Sequence, residues 1–508
     1  MKKKLTRRQF LANSAKAGAT VGLISQFPLV AYAKHREVND MINIAVVGLH
    51  NHGAWAHLSN SYLKMKGVRV IALCDPDLSV LDREAKKFYL RNEKAETYTD
   101  IRKLLDNKDV DLISGATPNH WHALSTVWAC QAGKDVCVEK PVSHNIWEGR
   151  KMVEAAHKYN RIVQADLDIR SNEAMYDAIN YIHSGDLGNI TMAHSWVYKR
   201  RESIGKVNGS GYIPATVDYN LWCGPAPYVP LPRKNLHYDW HWQWDYGNGE
   251  IGNNGPHHLD VCRWALRQPG LPQRVISFGG RYGYDDDGQT PNTLITVFDY
   301  KPVPIIFEVR GLPDKKGSEV MDNFTAKTKN GTRIFHKADG STWNHASIIV
   351  CEKGYVDLGV EVGGPVAYDN NGNIIKKFVA VKKLSSNEHF IKAVRSRDEK
   401  DIRTTILEGH LSTSLCHMGN ISYRVGDDVT PDEINDSIAK DYEVLEAFER
   451  TKEHLQVNGI NLNEKPIRLG PWLTMDGEKE RFVGKYSDKA NRYVRREYRE
   501  PFVVREKV

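Results

Sequence analysis

The stretch GLHNHG, Gly48 to Gly53, follows the apolar run INIAVVG and places glycines at the first and last positions of a G-x-G-x-x-G turn. In such a turn the first glycine makes the bend, the middle one admits a pyrophosphate, and the third lets the next helix pack closely. His50 stands where the middle glycine is expected, either donating to the pyrophosphate or turned outward. Asp75 closes the next apolar run, VRVIALCD, 22 residues after Gly53. A carboxylate there accepts hydrogen bonds from both ribose hydroxyls and repels a 2′-phosphate, which predicts NAD in preference to NADP.

Other chemically capable residues give weaker signals. The pairs His50/His52 and His120/His122 are spaced i, i+2, without third and fourth ligands in register, so no metal site is expected. Trp240, Trp242, Trp244 and Tyr246 alternate, which suits either a strand face packed on a core or platforms for sugar rings. Lys199, Arg200 and Arg201 offer a basic patch that holds an anionic substrate group or faces water.

These residues need elements to position them. Apolar runs at Ile42–Gly48, Val68–Asp75, Val110–Thr117 and Asp135–Pro141 alternate with helical patterns after Leu78, from about His122, and over Ile146–Tyr159. Repeated β-α units of this kind predict a parallel sheet with helices on both faces and ligands at the carboxyl ends of its strands. From about Ile190 the runs ITMAHSWVY, LITVFDY, VPIIFEVR and GYVDLGV suggest a mostly antiparallel sheet. The expected architecture is α/β: an N-terminal Rossmann dinucleotide-binding domain over 41–162, then a C-terminal α/β domain with a large, mostly antiparallel open sheet over 163–430. Residues 431–508 form an extension with a charged helix, Ala439 to Leu455, and a docking tail.

The N-terminus has its own logic. Arg7 and Arg8 precede a weakly apolar run that ends at Ala31-Tyr32-Ala33, the order of a twin-arginine signal peptide over residues 1–33. That run is too short and too interrupted for a membrane span. The stretch implies the Tat export machinery as a partner and a periplasmic or otherwise exported location. It also holds Lys2, Lys3, Lys4, Arg7, Arg8 and Lys16 and no acid, so it accounts for nearly all of the chain's net charge of +7. The remaining chain of about 475 residues is close to neutral, which removes the electrostatic case for nucleic-acid binding. Seven scattered cysteines without a CxxC pair are no disulfide framework.

TPNHWHA (Thr117–Ala123), GKDVCVEKPVSHNIWEGRKMVEAA (Gly133–Ala156), RRESIGK, VDYNLWCGPAP and HYDWHWQWDYGNGEIGNNGPHHLDVCRWAL resemble the Gfo/Idh/MocA family, and the likeness runs over most of the chain. It is nearest to that family's exported, twin-arginine branch. The resemblance implies an NAD(P)-dependent oxidoreductase acting on a sugar or polyol. It implies that Glu139 contacts the nicotinamide ribose and that Lys140 reaches the reacting hydroxyl, with Pro141 shaping the turn. Thr117, Asn119, His122 and Trp222 fall in the matching cofactor-side motifs. In GNNGPHHLD, His257 matches the family's base and Asp260 the acid three residues on, which helical spacing places on one face. Asn253 stands where many members carry Asp, and Asp166 and Asp168 stand where relatives often have Gly and Gln. With Arg170, Arg200, Trp242 and Trp244, Asn253 and Asp168 make up the expected substrate side.

The family commonly self-associates through the open face of its C-terminal sheet, so a homo-oligomer is expected. Three functional readings follow: a dehydrogenase, a redox-neutral NAD-dependent glycoside hydrolase, and a non-catalytic sugar- or nucleotide-binding protein on the same scaffold. An enzyme exported already folded has to carry its NAD with it, so tight binding is expected and regeneration in place gains weight.

Overall fold

The computed structural model describes residues 41–508 apart from 337–339, 341–342, 360–363 and 381–383. The twin-arginine stretch therefore lies outside the described residues.

Six strands make the first sheet: β1 (Ile42–Val47), β2 (Val68–Cys74), β3 (Glu96–Tyr98), β4 (Leu112–Gly115), β5 (Asp135–Glu139) and β6 (Val163–Asp166). All pair in parallel, in the order β3-β2-β1-β4-β5-β6. β4 and β5 are buried along their whole length and β1 almost so, which is why they read as continuous apolar runs rather than alternating ones. Helices cross between the strands, and three start on side-chain caps: Asp77, Asp100 and Asn145 each accept a backbone N–H of the first turn. The strand order reverses between β1 and β4, which opens a crevice at their carboxyl ends.

The second sheet is built from β7 (Ile190–Lys199), β8 (Arg274–Gly280), β9 (Thr293–Phe298) and β10 (Ile305–Arg310). A separate hairpin, β11 (Phe324–Lys327) and β12 (Arg333–His336), interrupts the chain before β13 (Trp343–Cys351), β14 (Gly354–Asp357), β15 (Val366–Asp369) and β16 (Ile374–Lys377) extend the sheet. Short strands β17 (Asp427–Val429), β18 (Ile467–Leu469), β19 (Leu473–Asp476) and β20 (Arg481–Val483) complete it beside β8. The β7–β10 pair is parallel and the other pairs are antiparallel, so the sheet is large and mixed.

Alternation along these strands assigns each face. Val275, Leu294, Phe298, Ile305 and Phe307 point to helices Glu173–Ser184, Gly255–Ala265 and Ile406–Val425. The opposite face is not open. Ile276, Phe278, Ile295, Val297 and Ile306 pack on helices Pro431–Ile438 and Tyr442–Val457, with Phe448 edge-on to Phe278 at 5.5 Å. Farther along, Trp196 stacks on Phe324 of the β11–β12 hairpin at 3.7 Å. On the face through which self-association is expected, these helices and the hairpin cover β7 to β10 and β13, while β16 is exposed along its length. Between these layers Glu308 accepts hydrogen bonds from Arg450 (2.6 Å), His194 (2.7 Å) and Tyr198 (2.6 Å). Burial alone would raise its pKa, but Arg450 and His194 hold it well below the usual carboxylate range.

If the extension is part of the core, Phe448→Ala leaves a cavity against Phe278 and costs about 3–5 kcal/mol in a denaturant melt. A loss smaller than about 1 kcal/mol would show that this helix only decorates the sheet.

Candidate active site

A cavity of about 500 Å³ lies at the carboxyl ends of β1, β2, β4 and β5. The glycine turn forms its floor. Gly48 has φ of 81°, and a Cβ on it would come within 2.7 Å of the Ala116 carbonyl at the end of β4. A Cβ on Gly53 would lie 1.8 Å from the Gly48 oxygen, so the first and third glycines are required sterically. His50 replaces the middle glycine without closing the cavity, because its ring stacks on His237 at 4.1 Å. Burial lowers its pKa to about 4, so the ring is neutral, and Nδ1 is buried without a partner. The Thr117 hydroxyl is likewise buried and unpaired. Asp75 accepts the N–H groups of Leu49 (2.7 Å) and Asp77 (3.0 Å), one on each oxygen, which leaves lone pairs for a ribose. Glycines that admit a pyrophosphate, an acid at the end of β2 and unpaired polar atoms fit NAD.

A second cavity of about 890 Å³ adjoins the first, and six residues border both: His52, Trp55, Glu139, Lys140, Asn254 and Trp343. Glu139 ends β5, and one of its oxygens accepts from His52 Nε2 (2.7 Å) and His57 Nε2 (3.0 Å). Burial pushes this carboxyl up, but the two histidine bonds prevail and hold it well below its ordinary value. His52 and His57 reach the same atom because the helix Gly53–Ser59 is wound as a π turn, with Asn60 N–H bonded to Trp55 O five residues back. In an α-helix five residues would set the side chains about 140° apart. Lys140 follows, its peptide to Pro141 is cis, and its ammonium donates to the Asn253 carbonyl at 2.9 Å. His57 Nδ1 lies 2.6 Å from the Ser114 hydroxyl, which ties the arrangement to β4.

His257 lies in the wall of the second cavity, where its Nδ1 is buried and lies 3.5 Å from an Asp168 carboxylate oxygen. Burial lowers its pKa, against the pull of Asp168, so the imidazole is neutral and able to accept a proton. Asp166, at the end of β6, faces the same cavity with its carboxyl pushed up to about 6 by burial and by Glu139.

The sequence-predicted residues thus sort into three groups. Gly48, His50, Asp75, Thr117, Asn119, His122, Glu139, Lys140 and Trp222 all line the first cavity, and Gly53 packs beneath the turn. His122 works as a brace, with its ring nitrogens 2.7 Å from the Thr117 and Pro141 carbonyls. Asp168 and His257 line the second cavity. Asn253 contributes its backbone carbonyl rather than its amide, which lessens the weight of the Asp-to-Asn departure.

Four other expectations need correction. Asp260 borders neither cavity: both its oxygens accept from Arg170 (2.6 and 2.8 Å), and one also accepts from Ser412 (2.7 Å). Arg170 is occupied by the same bond. Arg200 pairs with Glu202 and Glu319 on the surface. The tryptophan block is not a strand: Trp242 is buried under Arg201 at the end of a short 3₁₀ turn, and Trp244 packs against Arg424. The exposed indole at the site is Trp55. The ring nitrogens of His120 lie 3.3 Å from the Tyr246 carbonyl and 3.0 Å from the Trp222 carbonyl. Among the described residues the one group with three converging ligand-type atoms is His52, His57 and Glu139, within 4.8 Å of one another. The helical turn that unites them was not visible in the i, i+2 spacing.

Fold and site together define a Rossmann dinucleotide-binding domain joined to an α/β domain whose helix Gly255–Ala265 brings His257 to the cavity that adjoins the cofactor cavity. Residues 42–167 match the family described as an oxidoreductase family with an NAD-binding Rossmann fold, and residues 189–277 match its C-terminal alpha/beta domain. The two matches support membership of the Gfo/Idh/MocA oxidoreductases. A levoglucosan dehydrogenase from Pseudarthrobacter phenanthrenivorans is 31% identical over 243 residues, covering 46% of this chain and 53% of that protein. A glycosyl hydrolase family 109 protein from Shewanella baltica is 26% identical over 207 residues, covering 36% and 44%. The chain thus spans about half the length of the curated relatives it matches. The fold is shared with the WlbA dehydrogenase from Bordetella pertussis, solved with NADH and UDP-GlcNAcA, at a TM-score of 0.53, 18% identity, and coverage of 76% and 97%.

Burial pushes the Asp75 carboxyl up to about 6 although Leu49 and Asp77 donate to it. As pH falls through that value the group gains a proton and loses its charge. NAD affinity is therefore expected to weaken toward acid between about pH 8 and about pH 5. Asp75→Ala should weaken binding and flatten that slope in a fluorescence titration; unchanged affinity in the variant contradicts the assignment.

Proposed function

We propose that this protein is an NAD-dependent oxidoreductase that acts on a sugar, polyol or glycoside by hydride transfer and holds its NAD tightly. The observation that carries the reading is the shared wall of the two cavities. Glu139 and Lys140 border both, and His257 faces the second beside them. The similarity to a levoglucosan dehydrogenase supports it.

When bound, NAD supplies the hydride acceptor. The chain's own residues do the rest. Neutral His257 takes the proton of the substrate hydroxyl, with Asp168 beside it to stabilise the imidazolium that forms. The Lys140 ammonium, anchored on the Asn253 carbonyl, stabilises the oxygen as negative charge develops. Glu139, kept ionised by two histidines, presents a fixed acceptor to the nicotinamide ribose side. Asp260 takes a positioning role: through Arg170 it ties the helix carrying His257 to the segment carrying Asp168.

The twin-arginine stretch supports export through the Tat pathway to the periplasm. There a tightly held cofactor has to be regenerated in place, by a second substrate or by the first. The experiment is to purify the mature protein, release and identify any bound nucleotide, and follow absorbance at 340 nm and glycoside cleavage over a sugar panel. Net NADH formation supports a dehydrogenase. Cleavage without net redox change assigns a redox-neutral hydrolase instead, and neither signal leaves a binding protein.

Lys140→Ala should lower turnover by about 10²–10³ and His257→Ala by about 10²–10⁴, each with nucleotide still bound. Full activity in either variant removes that residue from the mechanism. Turnover should also survive a chelator, since no step here uses a metal.

A further inference from the structure

Away from both cavities, a third one of about 130 Å³ lies between the C-terminal tail and the start of the helix Ile146–Lys158. Its wall carries Arg424, Arg492, Arg495 and Arg496, and Asp245 is the one acid among the lining residues. Buried Glu148, in the first turn of that helix, acts on Arg496, and Asp245 acts on Arg424, yet among the described residues neither carboxylate forms an ion pair with them. Arg496 donates from Nη2 to the Asp245 carbonyl at 2.8 Å, while its Nε and Nη1 are buried without partners. Arg424 lies on the rings of Tyr493 (3.9 Å) and Trp244 (4.7 Å) rather than on a carboxylate. Of the four, Arg495 is paired, with Glu506 at 2.9 Å. Unpaired buried guanidinium nitrogens cost several times an ordinary hydrogen bond unless an acceptor reaches them.

The rest of the wall points the same way. His144 Nε2 is buried and unpaired beside these cations, and burial together with Arg496 holds its pKa well below the ordinary value. Asn145 caps the helix Ile146–Lys158, so the cavity sits at the positive end of a 13-residue helix. Asn420 donates to the Asn248 carbonyl (2.8 Å) and leaves its own amide oxygen buried and unpaired. The volume suits a tetrahedral oxyanion and excludes a nucleotide.

We propose that this cavity binds hydrogen phosphate. Its oxygens accept from the Arg496, Arg424 and Arg492 guanidinium groups, and its remaining O–H donates to the Asn420 oxygen, a contact that sulfate has no proton to make. The anion pins the tail to the N-terminus of the helix Ile146–Lys158. Through Asn248, which donates to the His144 carbonyl (3.1 Å) and accepts from Asn119 (3.1 Å), the pin is one side chain from the NAD cavity.

The test is calorimetric titration of the full mature protein with inorganic phosphate, with sulfate and with chloride, at matched ionic strength. Melting curves run alongside, because an anion that binds only the folded state raises the midpoint saturably. The expected result is saturable phosphate binding, at least about fivefold weaker sulfate binding, and none for chloride. Arg496→Gln should weaken phosphate by about tenfold or more. Arg492→Gln, at an exposed position, repeats the test where refolding of the tail is not at stake. Absence of saturable phosphate binding, or undiminished binding in both variants, overturns the site. Sulfate bound as tightly as phosphate overturns the role given to Asn420.

Discussion

The ionised carboxylate of Glu139 is the constraint on which the rest of the site depends. It sits at the end of a central strand, almost wholly buried, where an acid alone would be neutral. Two histidine N–H groups keep it charged, and both come from one helical turn. The helix after the glycine turn is π-wound, and with that winding His52 and His57, five residues apart, meet at one oxygen. Glu139 in turn sets where Lys140 and the cis bond to Pro141 emerge, and so where the two cavities meet.

Much of this was legible in the sequence because it is local. A glycine turn after an apolar run, an acid closing the next run and a lysine before proline are short-range signals, and each residue stands at the cavity its position implied. The second sheet was legible as a set of strands, but its single parallel pair was not, since register between distant strands leaves no mark on either. His57 carried a signal only to a reader who allows a helix other than α. Helical spacing put His257 and Asp260 on one face, yet a buried arginine from another segment takes the acid. The alternating tryptophans left a strand face and sugar platforms open, because period two also arises in a short irregular turn. In each of these cases the deciding interaction was tertiary.

Charge is handled in two opposite ways in this molecule. In the C-terminal layer Glu308 is surrounded by Arg450, His194 and Tyr198, and every oxygen is used. In the tail cavity arginines outnumber acids and several donors are left over. The first arrangement joins layers of the fold and is complete within the chain. The second is complete only with an anion.

The central part of the large sheet's second face is closed by helices and a hairpin from the same polypeptide. Cohesion of that kind is unimolecular. An interface between copies dissolves by mass action as protein becomes scarce, whereas a face covered in cis keeps its strength at any dilution. For this part of the molecule stability is a property of the single chain, so a lone copy far from any other holds this layer as firmly as one in a crowd.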